Sequence, residues 1–298
     1  MKSSFFLQKQ GIISLVVAFI VLSAPAAVAQ SASDVLQGLV DAHESRIASI
    51  NDFTVTSEVG GSMAPFDRMI TYYERVDEDG LSHFSARTRM EGGMADIFQG
   101  DVPSPMQNDP FLLNSLLVEY FGDTATHQGT ETVDGHETHV IHIENMTELT
   151  RDLAEMQEGS YDESTEIRDV RFYIDTEMNV VRRITAKMSG EFDTAGTGAA
   201  ERRTADMTFV LEDYREVDGL PYPFFMRMEL SGIMSDQELA QLEQELEQMK
   251  AQLDQMPPAQ REQIEQMMGG MEGMLSGSID FEARAQDVAV NAGPPEGM

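Results

Sequence analysis

The dipeptide Asp-Gly recurs three times in this chain, and it constrains the fold more than any other feature. It occurs at residues 79–80, 134–135 and 218–219, each time between two segments in which apolar and polar side chains alternate. Asp-Gly suits a two-residue β-hairpin because both of its positions tolerate a positive φ. Three such hairpins predict an antiparallel meander.

Alternation of this kind marks about ten segments in all. Separate two-stranded hairpins could not bury the apolar faces of about ten such strands. The pattern therefore predicts a mainly β, α+β protein built on one strongly curved antiparallel sheet or partial barrel. The expected strands cover residues 53–59, 66–76, 81–90, 126–133, 136–144, 168–175, 179–192, 204–217, 220–230 and 279–290.

Helical patterns precede and interrupt the strands. Apolar residues recur at helical spacing from Leu36 to Ile50, and Ser33 or Asp34 can cap that helix. A cap followed by proline at residues 108–110 predicts a second helix. Residues 145–148 resemble a capping arrangement and predict a third, short helix.

A helical hairpin is expected between the last two strands, over residues 235–276. Ser235-Asp-Gln-Glu238 is a capping box, and leucine and methionine then follow at heptad spacing from Leu239 to Leu253. Pro257 and Pro258 break that helix, and apolar residues from 264 to 271 predict a second one. This hairpin is a candidate arm for binding a protein partner.

The first 29 residues have the pattern of a signal peptide. Lys2 and Lys9 precede a hydrophobic stretch over residues 12–22, and Ala27-Val28-Ala29 has the small-x-small pattern of a cleavage site. The stretch is shorter than the roughly 20 residues that span a bilayer. We expect a cleaved leader over residues 1–29, a single domain over residues 30–298, no stable transmembrane anchor and a periplasmic location, with secretion as the alternative.

Charge excludes several functions. The chain has 20 Lys+Arg and 52 Asp+Glu, a formal net charge of −32. Such a surface repels phosphate backbones, so no nucleic-acid partner is expected. The absence of cysteine excludes disulfides and thiolate chemistry. Abundant carboxylates with few lysines are typical of proteins that stay soluble in concentrated salt, and a cation-binding surface is the alternative.

Catalytic and metal-binding motifs are not evident. His136, His139 and His142 lie in one predicted strand, where His139 faces opposite to the other two, so the three cannot converge on one metal. No nucleophile elbow, phosphate-binding loop or dinucleotide fingerprint has a suitable context. We expect no metal, no cofactor and no catalytic residue, and a hydrolase is the least favoured alternative.

Methionine is unusually frequent, with 21 residues, several of them on predicted strands. Surfaces that bind varied apolar partners use its flexible side chain heavily, although ordinary core packing also does. A ligand cavity on the concave face of the sheet is therefore a candidate site, with the opposite faces of the same strands as the alternative. The candidate lining residues are Phe172, Ile174, Met207, Phe209, Leu211, Phe224, Met226 and Met228.

Two hairpins resemble those of the LolA/LolB-like superfamily of periplasmic lipoprotein carriers and sorting proteins. One is Val170-Arg-Phe-Tyr-Ile-Asp175 followed by Asn179-Val-Val-Arg-Arg-Ile184, and the other is Asp213-Tyr-Arg-Glu-Val-Asp-Gly-Leu-Pro-Tyr-Pro223. Residues 132–136 look like the middle hairpin of that family, and the resemblance extends over most of residues 33–231 and 278–291.

The resemblance implies an open half-barrel of about eleven antiparallel strands, closed by helices over an apolar cavity that receives acyl chains. It implies a non-enzymatic exported protein that binds lipid or lipoprotein acyl chains, with a role in outer-membrane lipoprotein sorting. This chain is longer than a minimal carrier, and without cysteine it cannot be the lipid-anchored acceptor type. The alternative function is an envelope sensor or interaction module that uses residues 235–276 to bind a protein.

Overall fold

A computed structural model describes residues 30–62, 66–78, 81–92, 112–156, 165–192, 201–253, 261 and 275–298. Four sequence-based predictions lie outside these residues. They are the signal peptide, the turn at 79–80, the helix start at 108–110 and the second arm of the helical hairpin.

All ten predicted strands are present, with bounds that differ from the expected ones by a few residues. They are β1 (Asp52–Gly60), β2 (Arg68–Glu78), β3 (Leu81–Glu91), β4 (Thr126–Val133), β5 (His136–Asn145), β6 (Glu166–Asp175), β7 (Val181–Phe192), β8 (Glu201–Val217), β9 (Leu220–Ser231) and β10 (Ser278–Val290).

The strands form one antiparallel sheet in the order β3-β2-β1-β10-β9-β8-β7-β6-β5-β4. Nearly every strand pairs with its neighbour in sequence, as a meander requires, and β10 returns to pair with β1. The described parts of the edge strands β3 and β4 do not pair with each other, so the sheet is open. The predicted mainly β half-barrel type of fold is confirmed.

The Asp-Gly turns adopt the backbone that the sequence predicts. Asp134 and Gly135 have φ of 50° and 85°, and Asp218 and Gly219 have φ of 49° and 87°. Positive φ at both central residues matches the right-handed twist of the flanking strands. The β4–β5 and β8–β9 hairpins are thereby fixed in register.

Two further aspartates have a positive φ within strands, Asp169 in β6 with 53° and Asp213 in β8 with 52°. The β8–β9 register is continuous through Asp213. At Asp169 the pairing of β6 with β7 skips a residue, and β10 has a similar bulge opposite Thr56 and Ser57 of β1. An extra residue of this kind kinks its strand and increases the local twist. These bulges are one source of the curvature that a half-barrel needs.

Four helices have bounds within the described residues: α1 (Ala32–Ile47), α2 (Leu112–Phe121), α3 (Thr147–Met156) and α4 (Asp236–Leu253). The expected cap of α1 is wrong, because the helix begins at Ala32 and places Ser33 and Asp34 inside its first turn, where Asp34 complements the helix dipole. Asn145 caps α3 by accepting a bond from Thr147 N–H at 2.9 Å.

The core lies on one face of the sheet and has two parts. In the first, α1, α2 and α3 pack against β5, β6 and β7 around the fully buried residues Leu36, Leu117 and Phe172. In the second, strands β1, β2, β3, β9 and β10 surround Phe53, together with Ile47 at the end of α1 and Ile50 just after it. Strand β8 runs between the two, and Leu211 packs against both.

Candidate functional site

Apolar residues form continuous rows across the helix-covered face of the sheet, which we call the inner face. In one row, cross-strand pairing links six residues on six consecutive strands, from β5 to β10. A second, parallel row links Ala186, Met207, Leu230 and Ile279. The first row consists of Ile141, Phe172, Ile184, Phe209, Met228 and Phe281.

Burial along the first row changes at β7. Ile141 and Phe172 are fully buried beneath the helices, whereas Phe209, Met228 and Phe281 are only partly buried. The second row changes in the same way, from buried Ala186 to partly buried Met207 and its two neighbours. The inner face of β8, β9 and β10 therefore presents partly exposed apolar side chains, which we call the apolar strip.

The eight predicted lining residues all lie on the inner face, but they differ in accessibility. Phe172 and Ile174 have no exposed surface and contribute to the core beneath α1 and α2. Phe224 and Met226 are buried in the second core cluster. The other four, which remain partly exposed and belong to the apolar strip, are Met207, Phe209, Leu211 and Met228.

Helix α4 is anchored to the inner face of β8 at its first turn. Arg203 donates to a carboxylate oxygen of Glu238 at 2.9 Å and to the carbonyl of Ile233 at 2.7 Å. Glu238 also accepts from the Ser235 N–H at 2.8 Å, which confirms the predicted capping box. The expected heptad seam is the less exposed side of the helix, and its central residue Leu246 is buried.

A buried ion pair fixes the turn between β6 and β7. The Asp175 carboxylate accepts from Arg182 Nε at 2.6 Å and from the N–H groups of Glu177 and Met178 at 2.8 Å. Burial acts to raise the pKa of Asp175, but these donors outweigh it and lower the pKa below its ordinary value. The Arg182 guanidinium lies over the Tyr214 ring at 5.5 Å. Every polar group here has a structural partner, so the cluster holds the fold.

The histidines are divided between the two faces, as alternation predicts. His139 lies on the inner face beside His127, with their ring nitrogens 3.3 Å apart, and its pKa is lowered by burial and by His127. His142 lies on the other face, 3.0 Å from a carboxylate oxygen of Asp169. Among the described residues, no group of three or more His, Cys, Asp or Glu side chains is arranged to hold a metal ion.

A polar groove of about 420 Å³ lies where β8, β9 and β10 meet, next to the β10 bulge at Gln286. Arg215 lies over the Phe224 ring at 4.1 Å, and Arg284 over the Phe225 ring at 4.2 Å. Burial and the neighbouring carboxyl of Asp134 raise the pKa of Glu212. The groove balances two arginines against acidic partners, and it is lined by Glu212, Asp213, Arg215, Phe224, Phe225, Arg284, Ala285 and Gln286.

None of the helices in the described part of the chain is long and apolar enough to cross a membrane. No protein-family model matches the chain, and no curated protein gives a significant match. The structure is similar to that of a DUF1329 family protein from Desulfovibrio piger, with a TM-score of 0.38 and 10% identity over 87% of this chain and 95% of the other. It is also similar to a LolA superfamily protein from Nitrosomonas europaea, with a TM-score of 0.32 and 9% identity over 87% and 94% of the two chains.

Proposed function

We propose that this chain is an exported, non-enzymatic binding protein that holds a lipid or the acyl chains of a lipoprotein on the inner face of its half-barrel. The observation that carries the proposal is the apolar strip, in which partly exposed Phe209, Met228 and Phe281 continue a row that is fully buried at Ile141 and Phe172.

The strip has the chemistry of an acyl-chain surface. Each buried CH₂ group contributes about 0.8 kcal/mol, so a long chain laid across the strip gains substantial free energy. The methionines Met207 and Met228 are unbranched and polarizable, and they adapt to apolar partners of varied shape. Such a surface suits a ligand without a fixed outline.

The two faces of the sheet differ in a way that favours this function. On the outer face, the pairing register aligns Arg183, Arg227 and Glu282. Arg227 Nε lies 3.8 Å from a Glu282 carboxylate oxygen. A charged outer face and an apolar inner face support an acyl-chain site on the inner side. The leader pattern at residues 1–29 and the LolA/LolB-like hairpins support export and a role in lipoprotein sorting.

Binding of lipid by the mature protein tests the proposal directly. Native mass spectrometry of gently purified protein is expected to detect co-purified phospholipid or lipoprotein. The Met228→Gln variant, of nearly the same volume, is expected to bind acyl ligands roughly tenfold more weakly because it places an amide within the apolar strip.

Arg227→Gln is the matched control, because residue 227 is adjacent in sequence and faces the other side of the sheet. It is expected to leave acyl binding unchanged. Equal loss of binding in both variants would contradict an inner-face site. A protein that binds no lipid but captures a stable protein partner would support an interaction module instead.

A further inference from the structure

One charged side chain lies on the inner face at the end of the apolar rows. Arg203 pairs with Gly190 of β7 and lies two residues from Ala205, which is fully buried on the inner face. Because strand side chains alternate, Arg203 belongs to the same face as Met207 and Phe209. Among the described inner-face side chains of 184–190, 203–211, 224–230 and 279–285, it is the one that carries a charge. Arg215, farther along β8, lies over the Phe224 ring and is largely exposed.

The partner of Arg203 is a carboxylate from another element. Glu238 of α4 accepts bonds from both terminal nitrogens of Arg203, and the two side chains are only 16–17% exposed. A guanidinium this far removed from water requires an anion, because leaving it unpaired is costly. The fork of Arg203 is suited to any planar carboxylate or to a phosphate.

The spacing matches an amphiphile. At about 3.3 Å per residue, Met207 lies roughly 13 Å and Phe209 roughly 20 Å along β8 from Arg203. A cation therefore stands at one end of an apolar strip that is long enough for a fatty acyl chain. We infer that the ligand is an acyl chain with an anionic head group, a carboxylate or a phosphate, and that Arg203 determines this specificity. The inference rests on the proposed function.

Glu238 and the ligand head group compete for Arg203. Exchange is feasible because Glu238 keeps two other donors, the N–H and the hydroxyl of Ser235, at 2.8 and 2.6 Å. Displaced from Arg203, its carboxylate still closes the capping box of α4. A neutral head group supplies no charge to replace Glu238. The affinity of a neutral ligand therefore depends on the apolar strip alone.

Calorimetric titration of the full mature chain with three ligands that share one acyl chain tests the inference. Palmitate and palmitoyl lysophosphatidate carry anionic heads, and methyl palmitate is neutral. The wild type is expected to bind at least one of the anionic ligands roughly tenfold more tightly than the ester, and the preferred head group identifies the source of the anion. Arg203→Gln is expected to abolish the preference.

Glu238→Gln keeps a residue that is competent for the capping box while removing the competing charge. It is expected to raise the affinity for the anionic ligand by roughly tenfold and to leave the ester unchanged. Ala240→Gly is the control, since this exposed position lies in the same helix and glycine weakens α4 without changing any charge or any donor to Glu238, so it should shift all three ligands equally.

Two results would overturn the inference in distinguishable ways. If all three ligands bind and Arg203→Gln weakens them equally, Arg203 has only a structural role and the proposed function stands. If none of the three binds the wild type, the proposed function itself fails, and the inference with it.

Discussion

At the scale of single residues, the most informative side chain is His43, which is buried in α1. Burial, reinforced by the positive charge of Arg46, lowers the pKa of His43 from 6.5 to about 4. Because the unfolded chain binds this proton more readily than the folded one, His43 favours unfolding as the pH falls from about 6.5 to about 4. The difference between the pKa values of His43 in the unfolded and folded chains corresponds to about 3 kcal/mol of unfolding free energy.

The His43→Gln variant tests this linkage. Gln cannot take up a proton, so the free energy of unfolding of the variant is expected to fall less than that of the wild type between pH 7 and pH 4. Urea titrations at several pH values measure the free energy of unfolding of each protein. Subtracting the value for the variant from that for the wild type cancels the contribution of the carboxylates that both proteins share. Parallel pH profiles for the two proteins would show that His43 is not the source of the proton linkage.

Residue patterns in the sequence identified the inner face but missed its charge. Met207, Phe209 and Met228 were recognisable because they alternate with polar residues along predicted strands. The alternation predicts that β8 begins at residue 204, three positions after its observed start at Glu201, so Arg203 falls outside the predicted strand. Extending the alternation from Ala205 would have placed Arg203 inside, but its contact with Glu238 depends on the placement of α4 and has no local signal.

At the scale of elements, the turn after β1 depends on one glycine. Gly61 has φ of 101°, and a Cβ atom there would lie 2.5 Å from the carbonyl oxygen of Asp280 in β10. The hydroxyl of Ser62 also bonds the Asp280 carboxylate at 2.9 Å. The backbone of this turn is therefore held closely against the start of β10, and a side chain at residue 61 would separate the two.

Gly61→Ala is expected to destabilise the protein by about 2 kcal/mol or more, because it combines a strained φ with a steric clash. Gly60 is the matched control, since a Cβ there would meet nothing within 4 Å. Gly60→Ala should be neutral or stabilising by about 0.5 kcal/mol, as alanine is less costly than glycine to order in a strand. Chemical denaturation measures both; similar losses would show that the turn tolerates neither change.

The elements themselves were largely predictable because their signals are local. Period-two alternation and Asp-Gly turns specify strands and hairpins without reference to the rest of the chain. The strained aspartates at residues 169 and 213 carry no comparable signal, since aspartate also occurs in turns, caps and ion pairs. The start of α1 was missed for a related reason: Ser33 and Asp34 are good caps, but the packing of Ala32 and Val35 extends the helix before them.

At the scale of the whole molecule, the sheet order follows from the meander, and only the return of β10 to β1 is non-local. The separation of the two core clusters on either side of Leu211 is a property of the assembled sheet. It produces the apolar strip, because α1, α2 and α3 cover β5, β6 and β7 while α1 reaches the other cluster only through its C-terminal end. No pattern within one strand could have predicted which part of the row is left partly exposed.

The net charge of −32 also acts on the whole molecule. Mutual repulsion of carboxylates opposes the compact state, and salt weakens it as the Debye length falls from about 30 Å at 0.01 M to about 3 Å at 1 M. Salt also screens the ion pairs, but pairs such as Arg87–Glu74, whose side chains are 52% and 56% exposed, contribute at most about 1 kcal/mol each. The balance favours stabilisation by salt.

The melting temperature is therefore expected to rise between 0.01 M and 1 M salt, by on the order of 5 °C, the shift that about 2 kcal/mol produces in a domain of this size. Sodium, potassium and tetramethylammonium chlorides at equal ionic strength separate screening from binding, because screening depends on ionic strength whereas a cation site discriminates by size. Equal rises in the three salts support screening of a solvated acidic surface. A rise confined to one of the small cations would instead support a cation-binding surface, and a falling melting temperature would show that the ion pairs outweigh the repulsion.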